Sequence, residues 1–214
     1  MNRVDKSVRI TVVLTTILCL LPIIMGVLYY EELPEQMAIH FNSTGEADNY
    51  MNKNFVLFGL PILLAILNLI TQLRLVTDPQ KINYSKVLLY VTRWLIPVVS
   101  IGAMSFTILV GIGKSINIGN IGPIIAGLLI IIVGNYLPKC HFNYTMGIKL
   151  PWTLNNEDNW NKTHRFAGFI WVVGGIIILL SAFWPTKYVV LGIIVAMVII
   201  PMVYSFLLYR QEIL

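Results

Sequence analysis

A chain of 214 residues that is 57% hydrophobic and only 12% charged, with a mean hydropathy of +0.78, is excluded from the ordinary range of soluble domains. It reads as an integral membrane protein. Its net charge of +5 comes from fifteen Lys and Arg spread over several loops rather than gathered in a stripe, which argues against direct nucleic-acid binding and makes them topology signals.

Six apolar runs follow in chain order, at 10–30, 55–73, 94–113, 118–137, 166–184 and 188–209. Each has about the 20 residues a helix needs to cross a bilayer core of ~30 Å. Runs of this length must satisfy their backbone internally, and they lack the period-two alternation of a membrane barrel, so the fold class is all-α with six transmembrane helices. Arg3, Lys6 and Arg9 precede the first run as in a signal peptide, but no small-residue cleavage site follows, so this run is expected to remain as the first helix. Tyr29, Tyr30, Trp94, Tyr136, Trp184, Tyr188 and Tyr209 fall near the proposed interfaces, where amphipathic rings settle. Pro22, Pro61, Pro97, Pro123 and Pro201 fall within five of the runs and read as packing kinks.

Orientation follows from the basic residues. With the N-terminus inside, the cytoplasmic side carries Arg3, Lys6, Arg9, Arg74, Lys81, Lys86, Arg93, Lys139, Lys149, Lys162, Arg165 and Arg210, leaving Lys53, Lys114 and Lys187 outside. The positive-inside rule then puts both termini in the cytoplasm. Loop 31–54 lies outside, and its Glu31, Glu32, Glu35, Glu46 and Asp48 against Lys53 give it a formal charge of minus four. The long polar loop 138–165 lies inside.

In the outer loop, Met37, Ile39 and Phe41 alternate with polar or small residues, as in a short extended segment with one apolar edge, and 42–45 makes a turn. His40 with Asp48 or Glu46 has the chemistry for a pH sensor or part of a metal site, or for a plain hydrogen bond; further metal ligands are not evident, and no cofactor is expected. In the inner loop, Asn155 or Asn156 caps a helix with Glu157 and Asp158 in its first turn, running through Arg165 into the fifth span. On it Trp160, Thr163, His164 and Ala167 share a face. That face could anchor the loop at lipid headgroups, dock a protein or hold a small ligand.

No nucleophile elbow, HExxH, P-loop or paired-carboxylate pattern is present, and Cys140-His141 stands alone, so an enzyme is not expected. Cys19, inside an apolar run, and Cys140, at the edge of another, are not expected to pair. The six cores contain no ionisable group, only Asn68, Gln72, Asn120 and hydroxyls, which disfavours coupled transport. The alternative to a binding protein is a membrane-embedded enzyme or transporter acting on lipid or peptide, with His40, Asp48 and His164 as its polar groups.

Phe41-Asn42-Ser43-Thr44-Gly45 is weakly similar to Phe142-Asn143-Tyr144-Thr145-Met146-Gly147. Each lies between the first and second helices of a three-helix half, 1–114 or 115–214, as two inverted halves would place them.

The stretch 134–168, with Asn135, Asn143, Gly147, Pro151-Trp152-Thr153, Trp160, His164 and Arg165 in that order, resembles the signature of the SdpI-like family. Leu33-Pro34 followed by Ile39-His40-Phe41-Asn42, Gly45 and Asp48 is similar to the motif near the start of many members. The chain departs from the pattern at Lys149-Leu150, where an arginine and a threonine are expected. The resemblance implies a bacterial plasma-membrane immunity protein that protects against a membrane-damaging toxic peptide. It also implies a signalling role in which the cytoplasmic face sequesters a transcriptional repressor. As ligand- or partner-binding positions it points to Pro34, His40, Asn42, Gly45 and Asp48 outside and to the inner-loop residues just named, with membrane lipid as a further partner.

Overall fold

The computed structural model describes residues 6–42, 45–114, 118–184 and 188–213. Arg3, Lys187 and the Ser43-Thr44 pair used above lie outside the described residues. Six helical stretches are long and apolar enough to span a membrane: Lys6–Leu28, Phe55–Thr77, Lys86–Gly111, Asn120–Lys139, Glu157–Leu180 and Val189–Gln211. The chain is a helical integral membrane protein with the expected six spans.

The elements follow from local chemistry. The first span is built from α1 (Lys6–Leu20) and α2 (Pro22–Leu28), separated at Leu21 because Pro22 has no N–H to continue the ladder. A hairpin of β1 (Gln36–Phe41) and β2 (Ala47–Asn52) follows. Then come a π-helical turn (Phe55–Gly59), α3 (Leu60–Thr77) and α4 (Lys86–Gly111). The remainder is α5 (Ile118–Tyr136), the short α6 (Pro151–Asn155), α7 (Glu157–Leu180) and α8 (Val189–Ile213). On the first span Ile10, Val13, Ile17, Ile24 and Val27 recur at helical spacing and are exposed, which marks a lipid-facing stripe.

The third span begins at Lys86 rather than at Trp94. Lys86 and Arg93 bracket its mostly apolar first two turns and interrupt a hydropathy reading, yet backbone amides near the bilayer still need helical partners. Arg93 therefore lies within a span, which corrects the expectation that the six cores hold no ionisable group.

The chain divides into two compact units, 1–42 with 46–77 and 90–116, and 43–45 with 78–89 and 117–214. In the first unit, Leu33, Met37, Val56, Leu57, Met104 and Ile108 form the core. A Cβ at Gly111 would stand 2.5 Å from Leu33 Cδ2, so glycine there lets the segment before β1 lie against α4. Polar bonds cross between its helices: Asn68 Nδ2 donates to Thr15 and Thr16 Oγ1, both at 3.1 Å, Gln72 Nε2 to the Arg93 carbonyl at 3.0 Å, and Ser100 Oγ to the Cys19 carbonyl at 2.8 Å.

In the second unit α5 and α7 run antiparallel with glycines at their contact. A Cβ at Gly127 would lie 2.7 Å from the Gly175 carbonyl oxygen, and one at Gly168 would lie 2.8 Å from that of Gly134. The spacing of seven residues on both helices repeats the close approach two turns along. Small residues at such crossings let backbones touch where lipid supplies no hydrophobic drive for helix association.

Candidate functional site

The outer candidate lies in the first unit. The extended segment anticipated there is a paired hairpin, with Gln36 opposite Asn52, Met37 opposite Met51 and irregularities on either side of His40. Met37 is buried in the core and Phe41 packs edge-on against Phe106 at 5.1 Å. Asn42 closes the tip: its Oδ1 accepts the Glu46 N–H at 2.9 Å while its own N–H donates to the Glu46 carbonyl at 2.8 Å. Gly45 takes φ +84, a left-handed conformation that favours glycine. His40 Nδ1 lies 2.5 Å from Asp48 Oδ1, and both side chains are exposed. At the base, Lys53 is buried although charged. Its ammonium meets Glu35 at 3.0 Å, the Tyr30 and Leu33 carbonyls at 3.4 Å, and the Tyr30 ring face. Pro34, Glu31, Glu32, Glu35, Glu46 and Asp48 remain exposed, so the hairpin and the turn before it present an acidic surface.

The inner candidate lies in the second unit. Asn143 is fully buried and acts as the loop's hub: Oδ1 accepts the N–H groups of Thr145 (2.9 Å) and Met146 (2.6 Å), while Nδ2 donates to the His141 carbonyl at 2.9 Å. Asp78, also buried, accepts from Gln80 N–H (2.8 Å), Tyr84 OH (2.8 Å), Tyr144 N–H (3.0 Å) and Thr145 Oγ1 (2.6 Å). Asn83 Nδ2 adds a bond to the Phe142 carbonyl at 2.9 Å.

Trp160 is fully buried; its indole N–H donates to the Cys140 carbonyl at 2.7 Å and its ring stacks on His164 with centroids 4.1 Å apart. Gly147 takes φ +104, and a Cβ there would run into His164 Nε2.

Pro151 opens α6, where Thr153 Oγ1 accepts the Leu150 N–H at 2.8 Å and lies within bonding distance of the Ile148 carbonyl at 2.9 Å. Asn156, one of the two expected caps, accepts the Asn159 N–H at 2.9 Å. The buried Asn159 side chain donates to the Ser205 carbonyl at 3.0 Å and accepts from Ser205 Oγ at 2.7 Å, tying α7 to α8. Trp152 donates to the same Ser205 Oγ at 2.9 Å and stacks on Tyr209.

Asn143, Gly147, Thr153, Trp160 and His164 are thus brought together, with Trp152 at their edge. The face shared by Trp160, Thr163, His164 and Ala167 is buried inside the unit, not turned to headgroups or a partner. Asn135 and Arg165 are exposed on α5 and α7 and do not join this lattice. Lys149, the departure from the family pattern, donates to the Thr145 carbonyl at 2.9 Å, a bond that needs no forked guanidinium. Burial pushes the Cys140 thiol up to about 11, even though the contact with Asn143 opposes it, so a reactive thiolate is not formed near neutral pH. No group of three or more His, Cys, Asp or Glu able to hold a metal occurs among the described residues.

The sequence reading overlooked Asp78, Asn159 and Ser205. A buried loop carboxylate was signalled only by its place in Asp-Pro-Gln at a span end, and Ser205 only as a hydroxyl within an apolar run.

Fold and loops define a class: a six-span membrane protein whose polar loop is an internally satisfied frame. Residues 139–205 match the SdpI/YfhL protein family, and 17–65 match a domain of unknown function, DUF1648. The chain is 27% identical over 193 residues to the Immunity protein SdpI of Bacillus subtilis (strain 168), covering 90% of this chain and 91% of that protein. By these matches the chain is similar to SdpI-type proteins over most of its length. No solved structure matches it.

Proposed function

We propose that the chain is a multi-pass immunity protein of a bacterial plasma membrane, with both termini cytoplasmic, that protects the cell against a membrane-damaging toxic peptide. The observation that carries this reading is the similarity to an immunity protein over nine-tenths of both chains. The acidic hairpin supplies a physical means. Toxic amphipathic peptides bind membranes through cationic charge and apolar area together, and a rigid, exposed acidic surface captures such a peptide before it inserts.

The inner-loop residues Asn143, Gly147, Thr153, Trp160 and His164 serve as a frame in this account. A sequestered repressor would be met by exposed positions around that frame, such as Pro151 and Arg165. Two inverted three-helix halves, 1–114 and 115–214, would put hairpin and frame on opposite membrane faces.

The test is a triple substitution of Glu31, Glu32 and Glu35 by Gln. Protection should weaken, and more at low ionic strength than at high, since exposed charges are screened by salt. Protection unchanged at every salt concentration would reject capture by the acidic surface.

A further inference from the structure

Residues 78–85 join the spans Phe55–Thr77 and Lys86–Gly111, so both ends of this segment are tied to one membrane face. Eight residues reach at most about 28 Å fully extended. The 3-10 turn Lys81–Asn83 shortens that reach, so the segment stays at the bilayer surface. The turn is held by Asp78, whose carboxylate accepts from Gln80 N–H and Tyr84 OH, and by Asn83, which donates to the Phe142 carbonyl and to Gln80 Oε1 at 3.1 Å.

On this fixed turn Ile82 is 88% exposed, more than any other large apolar side chain among the described residues. A single exposed aliphatic residue is unremarkable by itself. Here it sits between the exposed Lys81 and Lys86, and the acid of the segment, Asp78, is turned inward and 4% exposed. The outward surface is therefore an apolar tip with two ammonium groups and no exposed carboxylate of its own, pinned where headgroups lie.

We propose that Lys81, Ile82 and Lys86 form a lipid-anchoring finger: Ile82 enters the boundary between headgroups and acyl chains while the two lysines engage phosphates of anionic lipid. The chemistry matches that of interfacial segments that combine a buried apolar side chain with flanking basic groups. The inference does not depend on the immunity reading.

The test uses the full chain in lipid nanodiscs, with Ile82→Cys carrying an environment-sensitive fluorophore; Cys19 and Cys140 are buried, and the labelled wild type gives the background. In discs containing phosphatidylglycerol the emission should shift to the blue and be quenched by lipids spin-labelled high on the acyl chain, more strongly than in pure phosphatidylcholine. Lys81→Gln and Lys86→Gln should each weaken the dependence on anionic lipid about fivefold, the worth of one interfacial basic residue. A water-like spectrum in both lipids, with helicity intact by circular dichroism, would overturn the proposal. So would a blue shift equal in both lipids and indifferent to the lysines, and so would one that appears only when an acidic protein is added.

Discussion

Ile148 donates its backbone N–H to His164 Nε2 at 2.9 Å, and the opposite ring nitrogen, Nδ1, lies 2.8 Å from the Trp160 carbonyl. The first bond needs a bare Nε2 and the second a protonated Nδ1, so the two together fix one neutral tautomer. His164 thereby joins the loop after Gly147 to the helix that enters the fifth span. His164→Ala leaves the Ile148 N–H without a partner and removes the stack on Trp160, and should cost about 2–4 kcal/mol. Thermal unfolding in detergent measures it, and an unchanged midpoint would refute the role given to this ring.

Gly147→Ala should be as damaging by another route. It forces an L side chain into the left-handed region and drives a Cβ into the imidazole. The same substitution at Gly192, where nothing lies within 4 Å, should shift stability by no more than about 0.5 kcal/mol. Comparing the two variants separates the loop's geometry from a general intolerance of added methyl groups.

Asp78 gives a pH dependence with a definite sign. Burial pushes its carboxyl up, but bonds from Thr145 Oγ1, the Gln80 N–H, Tyr84 OH and the Tyr144 N–H outweigh this and hold it below its ordinary value of 3.8. The folded value is depressed, so the stabilisation is present above 3.8 and is lost as pH falls through the folded value. Asp78→Asn should unfold more readily than the wild type at neutral pH, and the gap should narrow on acidification below about pH 4. A gap that widens there would contradict the assignment.

Cys140 should resist alkylation. With its thiol raised to about 11, iodoacetamide labelling of the folded protein should be negligible at pH 7.5 and appear only on unfolding or towards pH 11. Rapid labelling at neutral pH, read by mass spectrometry, would show that the loop opens.

The glycine contact between α5 and α7 sets a further expectation. Gly127→Val places branched carbons against the Gly175 carbonyl and Leu179 backbone N, each 2.7 Å from a Cβ. The helices must separate, at a cost of about 1–3 kcal/mol. Lower thermal stability in detergent would bear this out.

The spans were legible because apolar runs of bilayer length have few alternatives. The cap at Asn156 was legible because Asn carries a local backbone preference. The start of α4 was not, since Lys86 and Arg93 bracket its first two turns and interrupt the apolar run. Asp78 escaped notice because its partners Tyr144 and Thr145 stand 66 and 67 residues away, beyond any local pattern. The burial of Trp160 and His164 was missed for a related reason: an aromatic and an imidazole on one helix face look alike whether that face meets a headgroup, a partner or its own loop. The spacing of Gly127 and Gly134 against Gly168 and Gly175 was available in the sequence as a small-residue pattern and marks the close approach of α5 and α7.

The most direct test of the account is membrane potential in cells challenged with a sporulation-delaying-type toxic peptide from the same strain, with and without this protein. Immunity predicts that the potential is held only in expressing cells, and that the triple Glu→Gln variant at Glu31, Glu32 and Glu35 loses that protection at low salt. Collapse of the potential in both, with the wild-type protein verified in the membrane, would contradict the assignment of this chain as an immunity protein against that peptide.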